Sequence, residues 1–469
     1  MSGKKRPKNA RRKPRESPVK SLKIGISGVR GVVGDTLTPE LLVSFAESFG
    51  TYTGSGRVVI GRDTRTSGEM VRYAVTAGLA SAGCEALDLG VCPVPTVSLM
   101  VRRLEADGGI AITASHNPAE WNALKFFRAD GCYLNSHQAQ ELLDIYHQGD
   151  YVRASAGKIR QPRAVSGATD VHADAIIARL GRLPRRWKPT AVIDCVNGAG
   201  STMAAPFLEA LGCAAIAIHD EPDGFFPRPP EPLPQNLEKL CAAVRNAGAD
   251  VGFALDADAD RLAIVDEKGR PIGEDFTLAF AVDHILRRTK GTVVVNLSTS
   301  HVLDAVAARH GCRLVKTKIG EINVVERMKA ERAVIGGEGN GGVIYPEINF
   351  TRDAFAAMAL TLHYLAQRRM KVSAAAAALP PFRMAKGAVP CPSRAARPLI
   401  EFLEKKYEKS EPDLTEGIKI HYGDSWALIR PSNTEPIVRV VTEARTESAA
   451  KKLNQRFMRE IEEFIETTG

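Results

Sequence analysis

The sequence lacks several features that would assign it to a specialised class of protein. It has no run of 18 or more uninterrupted apolar residues, so no membrane-spanning helix is predicted. Its N-terminus is polar and basic without an apolar core segment, so we expect no secretory signal and a cytoplasmic protein. Its eight cysteines form no C-x-x-C pair, which favours reduced thiols that pack as small hydrophobic side chains and argues against zinc.

The excess positive charge lies almost entirely at the N-terminus. The formal net charge is +9, and residues 1–20 hold nine lysines and arginines against one acidic residue, Glu16. Such a segment buries too little apolar surface to order itself. We therefore predict a disordered basic tail over residues 1–20 that binds polyanions only weakly, and no dedicated nucleic-acid partner.

Three segments of the chain share one layout. Each begins with an apolar strand, continues through a helical stretch to a Gly-Cys pair, and ends in a second strand. The first strands begin at residues 57, 191 and 291, and the pairs are Gly83-Cys84, Gly212-Cys213 and Gly311-Cys312. Strand–helix–strand units of this kind form right-handed parallel crossovers, and glycine favours the left-handed end of a helix. The repeat predicts three related α/β domains.

The last ninety or so residues follow a different pattern. Strands are predicted at 425–430 and 436–444, a helix at 447–465, and a linker at about 373–395. We therefore expect α/β architecture, with three related α/β domains and a smaller C-terminal α+β domain around a central cleft. The predicted divisions are a basic tail at 1–20, α/β domains at 21–160, 161–270 and 271–375, and the C-terminal domain at 376–469.

The strongest local signal is LDADADRLAIVD, in which Asp256, Asp258 and Asp260 alternate with small residues. Carboxylates this close repel one another unless a cation binds, and hard oxygen ligands suit Mg²⁺ or Ca²⁺. An EF-hand is the first alternative, with Glu267 at its twelfth position. Arg261 stands where that loop needs glycine, and the flanks are strand-like, which argues against it. An acidic surface turn is the second alternative.

A second signal is TASHNP, which follows an apolar strand at 109–112. Pro118 disfavours helical geometry at the residue before it, so the chain turns and presents Ser115 and His116 at the carboxyl end of the strand. Ligands of α/β sheets bind at such ends. Lys125 adds a cation that burial can tune toward proton transfer. On its own, the Ser-His-Asn-Pro sequence is also consistent with an ordinary turn.

Two further segments are suited to binding hydroxyls and phosphate. GGEGNGG has glycines that allow close backbone approach to a ligand, and RPSNTEP combines an arginine with two hydroxyls and loop amides. Each is also consistent with an ordinary loop. Their candidate ligand-binding side chains are Glu338 and Asn340 in the first segment and Arg430, Ser432 and Thr434 in the second.

These four motifs, in this order and spacing, resemble those of the α-D-phosphohexomutase family, which includes phosphoglucomutase, phosphomannomutase and phosphoglucosamine mutase. TASHNP resembles its phosphoserine loop, DADADR its metal loop, GEGNGG its sugar-recognition loop and RPSNTEP its phosphate-binding loop. IGISGVRG at 24–31 resembles the N-terminal signature of the family and supplies Arg30. The resemblance covers residues 22–469 and implies four domains, of which three are α/β repeats.

The resemblance implies an enzyme that interconverts hexose 6-phosphate and hexose 1-phosphate through a phosphoserine and a hexose 1,6-bisphosphate intermediate, with Mg²⁺ as cofactor. It implies four groups of site residues: Ser115, Asp256, Asp258 and Asp260 as metal ligands, Ser115 being also the phosphorylated residue; Lys125, His116, Arg30 and Arg261 as catalytic residues; Glu338 and Asn340 as sugar ligands; and Arg430, Ser432, Asn433 and Thr434 as phosphate ligands.

The identity of the sugar depends on weaker signals. Asn340 and Gly342 stand where many family members have serine and histidine. The GEGNGG form, with IGEINV at 319–324, is more similar to phosphoglucosamine mutases and archaeal-type phosphomannomutases, which favours glucosamine phosphate over mannose or glucose phosphate. Two other classes remain as alternatives: a non-catalytic sugar-phosphate-binding relative, and a phosphatase or kinase, although no Walker-type loop is present.

Overall fold

The protein is described by a computed structural model. The described residues are 22–25, 28–432 and 436–468. They form one seven-stranded sheet and three four-stranded sheets with helices packed on them. The basic tail predicted at 1–20 lies outside the described residues. Within the described part of the chain, no helix combines the length and the apolar composition needed to cross a membrane.

The first domain contains the seven-stranded sheet. Its strands are β1 (Lys23–Gly25), β2 (Gly28–Val32), β3 (Arg57–Arg62), β4 (Glu85–Val91), β5 (Gly108–Ile112), β6 (Trp121–Arg128) and β7 (Arg163–Ala164). Its helices are α1 (Pro39–Tyr52), α2 (Gly68–Ser81), α3 (Val94–Arg103) and α4 (Ser136–Gln148). The strand order is β1-β2-β6-β5-β3-β4-β7, with apolar clusters on both faces.

The second and third domains each contain a four-stranded sheet. The second has α5 (Ala168–Leu180), β8 (Thr190–Asp194), α6 (Ala204–Leu211), β9 (Ala214–Ile218), α7 (Glu238–Ala247), β10 (Val251–Leu255) and β11 (Leu262–Val265). The third has α8 (Asp275–Leu286), β12 (Val293–Asn296), α9 (His301–Arg309), β13 (Leu314–Thr317), α10 (Glu321–Glu331), β14 (Ile335–Glu338), β15 (Gly342–Ile344), α11 (Ala354–Arg368) and α12 (Val372–Ala377).

The predicted repeat is visible in the order and direction of the strands. The sheets have the orders β9-β8-β10-β11 and β13-β12-β14-β15, and the first sheet contains β4-β3-β5-β6. In each unit the first three strands are parallel and the fourth is antiparallel. The register is also similar, because a valine near the start of the first strand faces a glycine of the third in the pairs Val58–Gly108, Val192–Gly252 and Val294–Gly336.

The Gly-Cys pairs end a helix in every unit, as predicted. Gly83, Gly212 and Gly311 have φ of +79°, +110° and +64°, the left-handed conformation that glycine adopts without strain. The second strand of each unit (β4, β9 or β13) begins one or two residues after the cysteine. All eight cysteines are free, and burial raises the pKa of Cys92 to about 12, which keeps that thiol protonated.

The second and third domains share a hydrophobic core. Helix α8 is buried from Phe276 to Leu286, and α11 packs directly against it. The rings of Phe280 and Tyr364 stack between these helices with centroids 4.9 Å apart. The two domains therefore pack around continuous apolar contacts, which fixes the metal loop relative to the sugar loop.

The C-terminal domain is smaller and consists of a four-stranded antiparallel sheet with two long helices. Its elements are β16 (Arg383–Pro390), α13 (Ser393–Tyr407), β17 (Ile418–Tyr422), β18 (Ser425–Pro431), β19 (Ile437–Ala444) and α14 (Glu447–Thr468). The sheet order is β16-β19-β18-β17. The two predicted strands and the predicted helix are present, with bounds that differ by one to three residues.

The linker predicted at about 373–395 is wrong in its central part. Most of that stretch forms α12 and the edge strand β16, which pairs with β19 along its whole length. Helix α14 lies so close to β16 that a side chain at Gly387 would meet Met458 Sδ at 2.5 Å. A small residue is needed under this helix, and Val389 is the one β-branched residue of β16, so the strand has few of the side chains by which a strand is recognised in a sequence.

Candidate active site

Three of the predicted motifs occupy the same position in the three repeated units. Each connects the third strand of its unit to the fourth, at 113–120, 256–261 and 339–341. The loops meet, because Ser115 Oγ donates to Asp256 Oδ2 at 2.9 Å and the backbone N–H of Leu262 donates to the Gly341 carbonyl at 3.1 Å. The sites thus lie together because equivalent corners of three sheets face one another.

Ser115 is buried in a constrained turn at the end of β5. It has φ of +50°, which is uncommon for any residue other than glycine and signals stored backbone strain. Its N–H donates to Thr113 Oγ1 at 2.9 Å, and that hydroxyl donates to Asp63 Oδ2 at 2.6 Å. These bonds hold the serine so that its hydroxyl points at the carboxylates of the metal loop.

Arg65 holds this turn from beneath and was missed by the sequence analysis. Its guanidinium is fully buried, and Nε donates to Asp63 Oδ2 at 3.0 Å. The four remaining N–H groups donate, at 2.5 to 3.0 Å, to the carbonyls of Ser115, Asn117, Pro118 and Trp121. All five donors are satisfied. The available signal was the sequence GRDTR, a paired acid and base at the carboxyl end of β3, where site residues gather.

The three aspartates of the metal loop converge inside the protein. One carboxylate oxygen from each of Asp256, Asp258 and Asp260 lies within 4.8 Å of the other two, and all three residues are fully buried. Burial, followed by repulsion from the other two carboxylates, raises the pKa of Asp256 well above its usual value. A divalent cation would relieve this repulsion.

The donor atoms fit a hard cation. Asp258 Oδ1 and Asp260 Oδ1 are buried and have no hydrogen-bond partner among the described residues. Buried carboxylate oxygens seldom lack partners, so these atoms fit the role of metal ligands. Three carboxylates without histidine or thiolate ligands match Mg²⁺ better than zinc. The strands on both sides of the loop also agree with the rejection of an EF-hand.

Lys125 supplies a cation next to the carboxylates. It lies on β6 with its side chain buried, and its Nζ is 2.8 Å from Asp258 Oδ2 and 3.8 Å from Asp260 Oδ2. Burial opposes the charge of Asp258, but the Lys125 ammonium, a hydrogen bond with Asp256 and the charge of Arg352 together outweigh it and lower the pKa of this carboxyl. Ser115 and Lys125 therefore contact neighbouring carboxylates of one cluster.

His116 adjoins the serine. Its Nδ1 lies 3.4 Å from Ser115 Oγ. Burial, followed by the positive charges of Arg261 and Arg30, lowers the pKa of His116 to about 2, so the imidazole is neutral at pH 7.

The two predicted arginines contact different residues of the site. Arg30 donates to Asn117 Oδ1 at 2.6 Å, which ties the N-terminal hairpin to the phosphoserine loop. Arg261 donates to Glu231 Oε1 at 3.0 Å, and its Nε is 3.9 Å from Asp260 Oδ1. Both guanidinium groups add positive charge where a phosphoryl group would meet the serine.

Glu338 of the sugar loop is buried, and both of its carboxylate oxygens accept hydrogen bonds. Its Oε1 accepts from Asn296 Nδ2 at 2.8 Å and from the Gly320 N–H at 3.0 Å, and its Oε2 accepts from Arg352 at 2.8 Å. Asn340, at the turn, is only partly buried, and its Oδ1 accepts from a backbone N–H two residues on at 3.3 Å. The structure therefore brings the sugar loop against the metal loop, with its glutamate held rigidly.

A chain of contacts connects the predicted phosphate loop to the sugar loop. Arg430 forms an ion pair with Glu416 at 2.8 Å, and Glu416 Oε2 accepts from the N–H of Ile319, the neighbour of the residue that contacts Glu338. The Ser432 N–H donates to the Ile437 carbonyl at 2.9 Å. Asn433 and Thr434 lie outside the described residues.

Comparison with known proteins agrees with this arrangement. Four segments match the four domains described as phosphoglucomutase/phosphomannomutase alpha/beta/alpha domains I, II and III and C-terminal domain, at residues 21–153, 171–269, 273–382 and 388–460. The fold is that of a phosphohexomutase, an isomerase that transfers a phosphoryl group within its substrate. The chain belongs to the phosphoglucomutase/phosphomannomutase family.

Individual relatives cover almost the whole chain. A probable phosphoglucosamine mutase of Methanopyrus kandleri is 35% identical, over 92% of this chain and 96% of that protein. A phosphoglucomutase/phosphomannomutase of Thermococcus kodakarensis is 36% identical, over 94% and 98%. The crystal structure of a Burkholderia thailandensis phosphoglucomutase/phosphomannomutase family protein superposes with a TM-score of 0.81 at 26% identity, over 94% and 98%.

Proposed function

We propose that the protein interconverts hexose 6-phosphate and hexose 1-phosphate through a phosphoserine at Ser115 and a hexose 1,6-bisphosphate, with glucosamine phosphate as its preferred substrate. The observation that carries the proposal is the bond of 2.9 Å from Ser115 Oγ to Asp256 Oδ2, inside a buried cluster of three carboxylates. A serine hydroxyl in this position can carry a phosphoryl group next to a bound cation.

Asp256, Asp258 and Asp260 would hold Mg²⁺ together with an oxygen on Ser115. When bound, Mg²⁺ offsets negative charge on the phosphoryl group during transfer. The buried Oδ1 atoms of Asp258 and Asp260, which have no hydrogen-bond partner in the described part of the chain, support this assignment.

The transfer needs both a proton donor and a proton acceptor. A sugar hydroxyl oxygen forms a bond to phosphorus while the bond from Ser115 Oγ to phosphorus breaks. Lys125 is placed as an ammonium on Asp258, so we assign it to protonate Oγ as that oxygen leaves. The amine that results takes the proton of the attacking hydroxyl, which restores the ammonium. His116 is too weak a base for this step because its pKa is about 2.

The sugar must be bound in two orientations, because each of its two phosphates reaches Ser115 in turn. Glu338 and Asn340 would bind ring hydroxyls in either orientation. Arg430 and Ser432, together with Asn433 and Thr434, would bind the phosphate that is not reacting. Arg30, Arg261 and His116 would surround the phosphoryl group at the serine.

The phosphoserine must be protected from water, which would hydrolyse it. Ser115 is only 3% exposed, and Lys125 beside it is 6% exposed. This burial favours transfer to a bound sugar over transfer to solvent.

The choice of glucosamine phosphate is supported by the names of relatives, several of which are probable phosphoglucosamine mutases. A panel of glucosamine, mannose and glucose 1-phosphates, each assayed with a trace of the matching 1,6-bisphosphate, tests it. We expect the highest kcat/KM with glucosamine 1-phosphate, and equal values on all three would refute the preference. Ser115→Ala should abolish turnover, whereas Ser44→Ala, on the exposed side of α1, should not.

A further inference from the structure

Arg352 lies at the junction of the metal and sugar loops, immediately before α11. Its side chain is 10% exposed, and each of its three nitrogens contacts a different carboxylate. Nε donates to Glu321 Oε2 at 3.0 Å, NH1 to Glu338 Oε2 at 2.8 Å and NH2 to Asp260 Oδ2 at 2.5 Å. One guanidinium thus joins the first turn of α10, the sugar loop and the metal loop.

Glu321 fixes the position of this arginine. Its Oε1 accepts from the Arg352 N–H at 2.8 Å and from Thr351 Oγ1 at 2.5 Å, while its Oε2 accepts from the guanidinium. Both the backbone and the side chain of Arg352 are therefore held by one buried carboxylate. Burial opposes its charge, but Asp260, Glu321 and Glu338 together raise the pKa of Arg352 well above its usual value, so the cation is permanent.

The glycine at position 342 makes room for the arginine. A Cβ at Gly342 would lie 2.3 Å from Arg352 Cδ and 2.9 Å from its Cγ, distances that atoms in proteins do not adopt. Gly342 does not have a left-handed φ, so its backbone conformation is open to other residues. Glycine at this position is therefore explained by the passage of the Arg352 side chain.

We propose that Arg352 is a positioning residue that couples the sugar-binding Glu338 to the metal-binding Asp260. This inference rests on the proposed function and adds to it a link between the two subsites. Arg352 occupies Asp260 Oδ2, whereas Oδ1 of the same carboxylate has no hydrogen-bond partner among the described residues and is available to a cation. By occupying Glu338 Oε2, Arg352 completes a set of bonds whose other members are Asn296 and Gly320.

The coupling between the two subsites is expected to be positive. A cation bound at Asp260 and a sugar bound at Glu338 each act on a carboxylate held by the same guanidinium, so an ordered arrangement at one favours order at the other. Such coupling is reciprocal: the sugar phosphate should tighten Mg²⁺ binding by the factor by which Mg²⁺ tightens sugar-phosphate binding.

Two substitutions test the proposal in different ways. Arg352→Lys keeps the charge but cannot reach three carboxylates in a planar fork. Gly342→Ala keeps the arginine and displaces its stem. The matched controls are Arg102→Lys, a partly buried arginine on α3 that donates to Ile348, and Gly157→Ala, where a Cβ meets no atom within 4 Å.

Isothermal titration with Mg²⁺ alone, without sugar, is the primary measurement on each folded variant. Loss of a residue that orients a metal ligand typically costs about 10–100-fold in affinity. We expect losses of this size in Arg352→Lys and Gly342→Ala, a parallel rise in KM for the sugar phosphate, and neither change in the controls. In an Arg352→Ala background, Gly342→Ala should have much less effect on Mg²⁺ affinity, because the clash with the arginine stem is gone and only the contact of 3.1 Å with Asn340 Oδ1 remains.

The outcomes separate this inference from the function on which it rests. If the wild-type protein binds no divalent cation and has no mutase activity, the proposed function fails. If the wild type binds Mg²⁺ and turns over substrate while both variants bind Mg²⁺ as tightly as it does, the coupling is refuted. A rise in KM without weaker Mg²⁺ binding also refutes it.

Discussion

Replacing Arg65 by lysine should loosen the phosphoserine loop without removing any atom that touches substrate. The arginine donates five hydrogen bonds, and four of them end on carbonyls of residues 115–121. A lysine ammonium has three donors on a single atom, so at least two of the five acceptors lose their partner.

The size of the effect follows from the count of lost bonds. A hydrogen bond from a charged donor contributes about 1.5–3 kcal/mol. Two such losses lower the free energy of local opening by at least about 3 kcal/mol, which corresponds to roughly 100-fold faster hydrogen exchange. The amides of Ser115 and Asn117 report on the loop, because both are hydrogen-bonded within it.

Hydrogen–deuterium exchange of the peptide that contains residues 113–121 measures this directly. Arg57→Lys is the control, since Arg57 donates to the Glu105 carbonyl on the exposed edge of the same domain. We expect faster exchange and a lower kcat in Arg65→Lys only. Exchange in Arg65→Lys at the wild-type rate would show that the turn is held by other contacts and would refute the reasoning.

Three further predictions follow from the site. Asp258→Asn removes a proposed metal ligand and the partner of Lys125, so kcat and Mg²⁺ affinity, measured by kinetics and calorimetry, should each fall by about 100-fold or more; an unchanged Mg²⁺ affinity would contradict the ligand assignment. Arg430→Lys loses the planar fork at the phosphate loop, so KM for the sugar phosphate should rise roughly 10–100-fold with little change in kcat; a lower kcat with constant KM would contradict this. Burial raises the pKa of Asp275 to about 7, so its stabilising contribution is complete below about pH 4 and is lost as the pH rises through 7. Thermal unfolding of Asp275→Asn should therefore gain most over wild type at pH 8 and little at pH 4, and equal gains would contradict the assignment.

The repeated architecture was predictable because its signals are local. A buried parallel strand, a helix and a glycine at the helix end can be recognised within a segment of some thirty residues. Three segments with the same order of elements support one another. Strand β16 has no such local signal, because the packing of α14 on it requires a small residue. That requirement comes from a helix more than fifty residues away in the chain.

The site residues also fall into those with a local sequence signal and those without a comparable one. Ser115 and the three aspartates stand in motifs whose composition suggests their chemistry, and the structure brings Ser115 within hydrogen-bonding distance of Asp256 and the three carboxylates within 4.8 Å of one another. Arg65 and Arg352 carry no comparable signal. Each is one arginine among many in the sequence, and its importance comes from carbonyls or carboxylates that the fold collects around it. Contacts of this kind depend on tertiary packing, and the GRDTR sequence indicates only that Arg65 lies at the carboxyl end of a strand.

The central claim is that Ser115 accepts and returns a phosphoryl group. The direct measurement is mass-spectrometric mapping of the intact protein and its peptides after incubation with glucose 1,6-bisphosphate and Mg²⁺, and again after addition of glucosamine 6-phosphate. We expect one phosphoryl group on Ser115 after the first step and its loss to the sugar after the second. A protein that stays unmodified, or that is modified at another residue while remaining active, would contradict the account.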